Sequence, residues 1–447
     1  MTARAVRMSP RRRREVIDAL RRGTVPQQGL DILAVGLGRF ESTIDDELSS
    51  VKGGGAQFKA VRGEYGSGKT FFARWLTERA RKNGFVTAEV QVSETETPLH
   101  KLETVYRRVI ESLSTSSAPT SAFRDVIDGW LFVLDREVRE SGASTTIAVE
   151  AGTEKLLEKR LESVSREAPA FAAVLRAYRR AVADGDRAHA DALLAWLAGQ
   201  PHVGAAAKRS AGVKGDLDHF GALGFLQGLL TVLRDSDYAG LILVLDEVET
   251  LQRMRSDVRE KSLNALRQLM DEIDAGRFPG LYLVLTGTPA FFTGTNGVQR
   301  LAPLAQRLET DFATDARFDN PRAPQIRLHG FTGDSLVELG IRVRDIFATG
   351  SKAADRIEVL VDDDYVATLG SAVTGELGGK VGVAPRVFLK KLVADVLDRV
   401  DQFEAFDPRR DYALTVGASE LTESELEARS LGRPRAAASI DDIDLKL

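Results

Sequence analysis

The decisive stretch of this chain is Gly63-Glu64-Tyr65-Gly66-Ser67-Gly68-Lys69-Thr70. It matches the phosphate-binding loop pattern G-x-x-x-x-G-K-[ST] at every fixed position. Residues 57–62 before it predict a short strand and residues 71–76 after it predict a helix, which is the setting that the pattern requires. Glycines let backbone N–H groups wrap around a phosphate, and the start of a helix adds partial positive charge. The stretch therefore predicts a site for nucleotide phosphates.

The side chains of this loop have distinct expected functions. Lys69 would reach the β- and γ-phosphates of ATP, and the Thr70 hydroxyl would bind Mg²⁺. A glycine-rich turn that matches by chance is the alternative, and the flanking strand and helix disfavour it. The residues expected to contact the nucleotide are Gly63, Glu64, Tyr65, Gly66, Ser67, Gly68, Lys69, Thr70 and Phe71.

Composition narrows the possible chemistry. The chain has 447 residues, of which 43% are hydrophobic, so two or three domains are expected. It contains no cysteine, which excludes disulfides, cysteine-based zinc sites and thiol catalysis. Its net charge is −4, and no apolar run is long enough to span a membrane. An apolar signal core is also absent, and we interpret the chain as cytoplasmic.

A second stretch carries acids. The apolar run Leu241-Ile242-Leu243-Val244-Leu245 ends in Asp246 and Glu247. Such a run predicts a buried parallel strand, and ligands of open α/β sheets bind at the carboxyl ends of the strands. We expect Asp246 to hold Mg²⁺ and Glu247 to orient or deprotonate the attacking water. Glu249 is a weaker candidate for the same task, and a strand ending in solvated acids is the alternative.

Polar residues after the next buried strand, residues 281–286, are further candidates. Thr286 and Thr288 stand where a side chain can touch the γ-phosphate or the water, although a simple strand-to-turn signal also explains them. Arg307, and after it Arg300, stand where an arginine can reach a neighbour's nucleotide in a homo-oligomeric ATPase. Surface arginines are the alternative interpretation for both.

The remaining pattern predicts a divided chain. Arg386, at the start of a C-terminal helix, would act as a sensor arginine on the γ-phosphate. The arginine cluster 11–14 predicts either a nucleic-acid contact or, preferably, a solvated helix face. The expected parts are an N-terminal helical segment (1–50), an ATPase core with a five-stranded parallel sheet (51–121 and 216–330), a helical insertion (122–215), a helical lid (331–405) and a partly disordered tail (406–447).

The combination of motifs is that of the additional-strand, catalytic-glutamate class of P-loop ATPases. With the lid and Arg386, the chain resembles AAA+ ATPases of the origin-recognition and loader branch. This resemblance implies a lid that closes when ATP binds and is released by hydrolysis. The periodicity alone predicts only a P-loop α/β fold.

A closer resemblance rests on four stretches of the sequence. They are Ile17-Asp18-Ala19-Leu20-Arg21-Arg22-Gly23-Thr24-Val25-Pro26, Gly29-Leu30-Asp31, the loop from Gly63 to Phe71, and Leu245-Asp246-Glu247-Val248-Glu249. In these the chain is similar to the ATP-binding proteins of BREX (bacteriophage exclusion) systems, and it is BrxD-like. The resemblance implies an ATPase subunit that acts with other BREX defence proteins against phage DNA. It carries over to Lys69, Thr70, Asp246 and Glu247.

Three functions remain open from the sequence. The first is a defence ATPase that acts on double-stranded DNA or on DNA-bound partners. The second is a nucleotide-gated switch or scaffold that binds ATP and assembles partner proteins with little turnover. The third, a small-molecule kinase, fits the phosphate loop alone and is weakened by the Asp246–Glu247 pair.

Overall fold

Five strands form one sheet, and the three strands whose bounds were predicted above (near residues 57, 241 and 281) lie within one residue of those bounds. The five strands are β1 (Gln57–Arg62), β2 (Val86–Gln91), β3 (Leu241–Asp246), β4 (Leu281–Gly287) and β5 (Gln325–Arg327). All pairings are parallel, and the order across the sheet is β2-β3-β4-β1-β5. The predicted five-stranded parallel α/β fold is therefore confirmed, including the extra strand between the loop strand β1 and the acidic strand β3.

The register of the ladder aligns the functional ends of the strands. Leu245 on β3 pairs with Leu285 on β4, which pairs with Ala60 on β1. The next residues along β3 and β4 are Asp246 and Thr286, at the carboxyl edge of the sheet. Because every strand is parallel, this edge collects all the strand ends that the sequence marked with polar residues.

This computed structural model describes residues 8–422, 425–426 and 429–430. Its α-helices are α1 (Pro10–Arg21), α2 (Leu30–Leu33), α3 (Gly38–Lys52), α4 (Lys69–Lys82), α5 (Leu102–Glu111), α6 (Phe123–Glu140), α7 (Thr146–Arg160), α8 (Glu162–Glu167), α9 (Pro169–Ala183), α10 (Arg187–Leu197), α11 (Ala205–Ser210), α12 (His219–Asp235), α13 (Ser256–Asp274), α14 (Pro289–Thr293), α15 (Ala302–Arg307), α16 (Gly333–Ala348), α17 (Ala354–Leu360), α18 (Asp363–Glu376), α19 (Pro385–Lys390), α20 (Asp398–Gln402) and α21 (Pro408–Asp411). A π-helical stretch, Lys391–Leu397, joins α19 to α20. Part of the predicted tail, residues 431–447, lies outside the described residues.

The chain divides into two compact units. The sheet unit consists of Phe40–Arg62 and Leu76–Arg327. The helical unit consists of the described residues of Met1–Arg39, Gly63–Trp75 and Leu328–Leu447. Each unit therefore joins segments that are far apart in the sequence.

The core of the sheet unit extends from the strands into the helices α5 to α12. The side chains of β3 are buried along its whole length, as expected for a strand covered on both faces. Trp130 on α6 and Phe171 on α9 are fully buried in the same apolar cluster as Leu243. The helices between α5 and α12 thus share one hydrophobic core with the sheet.

The helical unit has its own apolar core around α1, α16 and α19. Ser9 caps α1 by accepting a hydrogen bond from the Arg12 amide, and Pro10 occupies the first helical position. Val16 and Leu20 of α1 are buried in one cluster with Phe388 of α19. The N-terminal helix is therefore an integral part of this unit.

A buried ion pair fixes β1 within the sheet unit. Lys59 is 1% exposed, and its ammonium lies 2.6 Å from the carboxylate of Glu47 on α3. It also donates to the carbonyls of Pro321 and Ala323 at 3.0 and 2.9 Å. The Tyr282 hydroxyl of β4 donates to the same Glu47 carboxylate. The network ties β1 to β4, to α3 and to the segment before β5.

Replacing Lys59 tests this network. In Lys59→Met, Glu47 keeps its charge in a mostly buried position without the ammonium, so the free energy of unfolding should fall by about 3 kcal/mol or more. Urea unfolding followed by circular dichroism measures the loss. The exposed Lys52→Met should change little, and adding Glu47→Gln to Lys59→Met should recover part of the loss. Equal stabilities of Lys59→Met and Lys52→Met would contradict the account.

Candidate nucleotide site

The phosphate loop leaves β1 at Gly63 and ends where α4 begins. Gly66 and Gly68 have φ angles of 79° and 89°, in the left-handed region that glycine adopts without a steric cost. The Ser67 amide donates to the Glu64 carbonyl at 3.1 Å and closes the turn. Two of the motif's glycines are therefore needed for the path of the backbone itself.

Lys69 folds back into the loop. Its ammonium donates to the carbonyls of Gly63 and Glu64 at 2.9 and 3.2 Å, and it lies 5.2 Å from the centre of the Tyr65 ring. Lys69 is only 9% exposed, and a buried ammonium requires acceptors. Phosphate oxygens carry full negative charge and form stronger hydrogen bonds than neutral carbonyls. The Lys69 ammonium thus lies inside the loop, where an anion bound by the loop would attract it.

The Ser67 hydroxyl indicates which kind of ligand the loop fits. Ser67 is 6% exposed, and its Oγ has no hydrogen-bond partner among the described residues. A Cβ atom added to Gly63 would lie 2.2 Å from this Oγ, so only glycine at position 63 leaves room for it. Buried hydroxyls in native proteins are nearly always bonded. The loop therefore fits an oxygen-rich anion such as a nucleotide phosphate.

The other predicted loop residues surround this centre. Thr70 is half-buried in the first turn of α4, and Phe71 packs against the apolar core of the helical unit. Glu64 and Tyr65 are exposed, Tyr65 to 46%. Thr70 therefore stands at the helix start, where the motif places its Mg²⁺ ligand, while Phe71 anchors the helix.

Asp246 is oriented at the end of β3 by its neighbours. It is 6% exposed, and its Oδ1 accepts hydrogen bonds from the hydroxyl of Thr286 and from the Glu247 amide. Thr286 is fully buried, and its Oγ1 also accepts from the Glu247 amide at 3.2 Å. The structure thus joins two predicted site residues, and Thr286 positions the carboxylate of Asp246.

Glu247 turns its side chain out of the sheet. Its φ of 59° is left-handed, which costs of order 1–3 kcal/mol for a residue other than glycine and is typical of functional sites. The carboxylate is exposed and accepts a hydrogen bond of 2.8 Å from the side-chain amide of Gln91 at the end of β2. Glu249 is 7% exposed in the following 3₁₀ turn. Of these two acids, Glu247 is the one that solvent reaches.

Gln91 is a residue that the sequence analysis missed. It pairs in register with Asp246 and immediately precedes Val92, so it marks the carboxyl edge of the sheet on β2. The signal was a polar residue at the end of a strand, the same kind of position that singled out Thr286. A single sequence does not show that β2 lies next to β3, so Gln91 could not be predicted as a neighbour of Glu247.

The two predicted trans-acting arginines lie in different environments. Arg307, at the end of α15, pairs with Asp271 at 2.6 Å and also with Asp274, both on α13. Arg300 is exposed at the end of a short 3₁₀ turn. Arg307 would have to leave its two carboxylates before it could reach another subunit.

Arg386 lies in the first turn of α19 and binds a carboxylate and a backbone carbonyl of its own chain. Its Nε donates to Glu425 at 2.8 Å, and its Nη2 donates to the other Glu425 oxygen and to the Glu420 carbonyl. This hydrogen bonding to Glu425 raises the pKa of the guanidinium. The predicted sensor arginine is therefore already paired with the Glu425 carboxylate.

Residues 23–25, which follow α1, lie next to Arg386 and also contact α4, the helix that follows the phosphate loop. A Cβ atom at Gly23 would lie 3.3 Å from Nη1 of Arg386. Two residues later, the Val25 carbonyl accepts a hydrogen bond of 2.9 Å from Arg74 on α4. Within the helical unit, Arg386 and the helix of the phosphate loop therefore flank the same few residues.

The donor set suits magnesium better than a tightly chelated metal. Among the described residues, no three His, Asp or Glu side chains gather in a way that could hold a metal ion. Mg²⁺ binds through one or two protein oxygens together with waters and substrate phosphates. The Thr70 hydroxyl and the Asp246 carboxylate are each oxygen donors of the type that Mg²⁺ prefers.

The chain shares these features with a known protein family. The family model for BREX system ATP-binding proteins BrxC/D matches residues 8–416. The chain belongs to this BrxC/D family. The match includes the phosphate loop, the acids at the end of β3 and Arg386, and it confirms the resemblance inferred from the sequence. The chain is thus an ATP-binding component of a BREX defence system.

Other comparisons add little to this BrxC/D assignment. The structure is similar to the Aeropyrum pernix ORC2 protein, solved in ADPNP and ADP complexes, with 13% sequence identity and a TM-score of 0.37. The likeness covers 85% of this chain and 70% of that chain. No curated protein sequence matches the chain. In the described part of the chain, no helix has both the length and the apolar character needed to cross a membrane.

The contact between Thr286 and Asp246 generates a testable prediction. Thr286→Val keeps the shape of the side chain but removes a donor from a buried carboxylate, so the free energy of unfolding should fall by about 1–3 kcal/mol. Urea unfolding without nucleotide measures the change. Thr288→Val, also buried but without a hydrogen bond to Asp246, should cost less. If the two variants are equally stable, Thr286 does not position Asp246.

Proposed function

We propose that this chain is an Mg²⁺-dependent ATPase of the AAA+ type and acts in a BREX system on DNA or on DNA-bound partner proteins in the cytoplasm. The observation that carries the ATP site is the phosphate loop, with a buried Lys69 ammonium on carbonyls and an orphaned Ser67 hydroxyl. The exposed Glu247 carboxylate at the edge of the sheet supports hydrolysis. The helical unit around α16 to α20 supports the AAA+ assignment.

Each residue has a defined task in this proposal. Backbone N–H groups of the loop and Lys69 bind the phosphates, while Thr70 and Asp246 hold the metal ion. ATP supplies the phosphoryl group that is transferred to water. Glu247 orients that water and accepts its proton. Arg386 contacts the γ-phosphate.

Three further side chains support the residues that bind ATP and orient the water. Thr286 keeps the Asp246 carboxylate in place. Gln91 holds one oxygen of the Glu247 carboxylate and thereby fixes the direction of the other. In a homo-oligomer, Arg307 reaches the nucleotide of a neighbouring copy after it leaves Asp271 and Asp274.

Action on DNA is supported by the arginine cluster 11–14 on α1, although the net charge of the chain is −4. An alternative function is a nucleotide-gated scaffold that binds ATP and assembles other BREX proteins. Apolar side chains on the helices after α5 are accessible to such partners, since Phe132 is 67% exposed and Ile147 is 80% exposed.

ATP turnover with and without double-stranded DNA separates these functions. Stimulation by DNA, together with DNA binding that weakens steeply with salt, would support the DNA-directed ATPase. Tight ATP binding without turnover in either condition, combined with ATP-dependent association with another BREX protein, would support the scaffold. Absence of ATP binding would contradict both.

Lys69→Ala tests the nucleotide site itself. The variant loses the ammonium that would neutralise the phosphates, so ATP affinity should fall at least about a hundredfold, as expected for a charged hydrogen bond of about 3 kcal/mol. Isothermal titration calorimetry on the full chain measures the affinity. Lys82→Ala, at the far end of α4, removes the same charge and should bind ATP normally. Normal binding by Lys69→Ala would refute the site.

A further inference from the structure

Three cations of the helical unit, on α19 and at the start of the π-helical stretch, are paired with carboxylates. Arg386 lies on α19, and Lys390 follows four residues later, a spacing that brings side chains together on a helix. Lys391 is the first residue of the π-helical stretch that follows α19. The side chain of Lys391 is only 6% exposed, and those of Arg386 and Lys390 are about one-third exposed. Like charges repel strongly where water is scarce, so this cluster requires anions.

The anions come from the C-terminal part of the chain. The Glu425 carboxylate, 5% exposed, forms a two-point contact with the Arg386 guanidinium. Glu420 lies 2.9 Å from the Lys391 ammonium and 3.3 Å from that of Lys390. Asp395 also lies 3.2 Å from Lys391. We call Arg386, Lys390 and Lys391 the cation cluster, and Glu420 with Glu425 the tail carboxylates.

The backbone around the tail carboxylates is organised by the same oxygens. The Thr422 amide donates to Glu425 at 2.7 Å, and the Gly417 amide donates to Glu420 at 3.1 Å. Hydrogen bonds from Lys391 lower the pKa of Glu420 to about 2. Glu420 therefore stays ionised at physiological pH and keeps its charge toward the two lysines.

The chain leading to the tail carboxylates is held on the helical unit. Tyr412 donates to Asp395 at 3.2 Å, and Val416 is buried in the apolar core of the unit. A tethered ligand of this kind has an effective concentration of order millimolar. Displacing it requires a ligand with several negative charges, and a triphosphate has them whereas a single inorganic phosphate has few.

We propose that the tail carboxylates are a built-in competitor for the phosphates of ATP, and that ATP displaces them from the cation cluster when it binds. A guanidinium binds carboxylates and phosphates through the same pair of parallel N–H groups, so one anion can replace the other on Arg386. Arg386 also flanks the Gly23–Val25 segment that contacts the phosphate-loop helix. This inference rests on the proposed function, since it takes ATP as the ligand.

Glu425→Gln in the full chain tests the competition. It keeps the shape of the side chain but removes the charge that holds Arg386, so the Kd for ATP should fall about tenfold, the equivalent of one weakened charged contact. Glu404→Gln is the matched control, because it removes an exposed charge that precedes the tail carboxylates and leaves the cluster unchanged. Equal Kd values for Glu425→Gln, Glu404→Gln and the unaltered chain would overturn the proposal.

A double variant shows whether the effect passes through Arg386. In a chain carrying Arg386→Ala, adding Glu425→Gln should no longer tighten ATP binding, because the cation that the carboxylate blocks is gone. Lys69→Ala separates the two claims. If ATP binding is insensitive to Lys69→Ala, the proposed function fails. If it is sensitive to Lys69→Ala but not to Glu425→Gln, only this inference fails.

Amide hydrogen exchange tests the displacement in the unaltered chain. Saturating ATP should reduce the protection of the Gly417 and Thr422 amides, since their acceptor carboxylates leave the cluster. Inorganic phosphate at the same concentration should have little effect. Protection that is unchanged by ATP, or that is lost with double-stranded DNA but not with ATP, would overturn the proposal.

Discussion

The parallel pairing of β3, β4 and β1 is the constraint on which the site depends. Because β4 lies between the other two in register, Asp246 and Thr286 stand side by side at the edge from which the phosphate loop leaves β1. The hydroxyl of Thr286 then orients the carboxylate of Asp246. The buried Lys59–Glu47 pair keeps β1 in this arrangement. The local sequence thus determines where each strand ends, and the parallel pairing of the strands brings those ends to the same edge of the sheet.

Motifs with a backbone requirement could be predicted from the sequence. The phosphate loop needs left-handed glycines at Gly66 and Gly68, and the strand of Asp246 needs an unbroken apolar run, so both were visible in the chain. Contacts between distant segments were not. Gln91 meets Glu247 only because β2 lies beside β3, and Glu425 meets Arg386 only because the C-terminal segment folds onto α19. The spacing of residues along the sequence predicts neither of these two contacts.

Several parts of the site are held by contacts within the chain. Lys69 binds loop carbonyls, Arg386 binds Glu425, and Arg307 binds two aspartates. Each cation that the proposal assigns to a phosphate therefore has a substitute partner within the chain. In our account ATP replaces the partners of Lys69 and Arg386, and a neighbouring copy frees Arg307. The cost of breaking these contacts would set the affinity for the nucleotide.

The most direct test of the account is single-turnover ATP hydrolysis by two matched variants, Glu247→Gln and Glu249→Gln. The account assigns the water to the exposed Glu247, which stands in a left-handed turn and is held by Gln91. Glu247→Gln should therefore bind ATP normally and lose turnover by at least about a hundredfold, while Glu249→Gln should retain turnover. Full turnover in Glu247→Gln together with loss in Glu249→Gln would contradict the account.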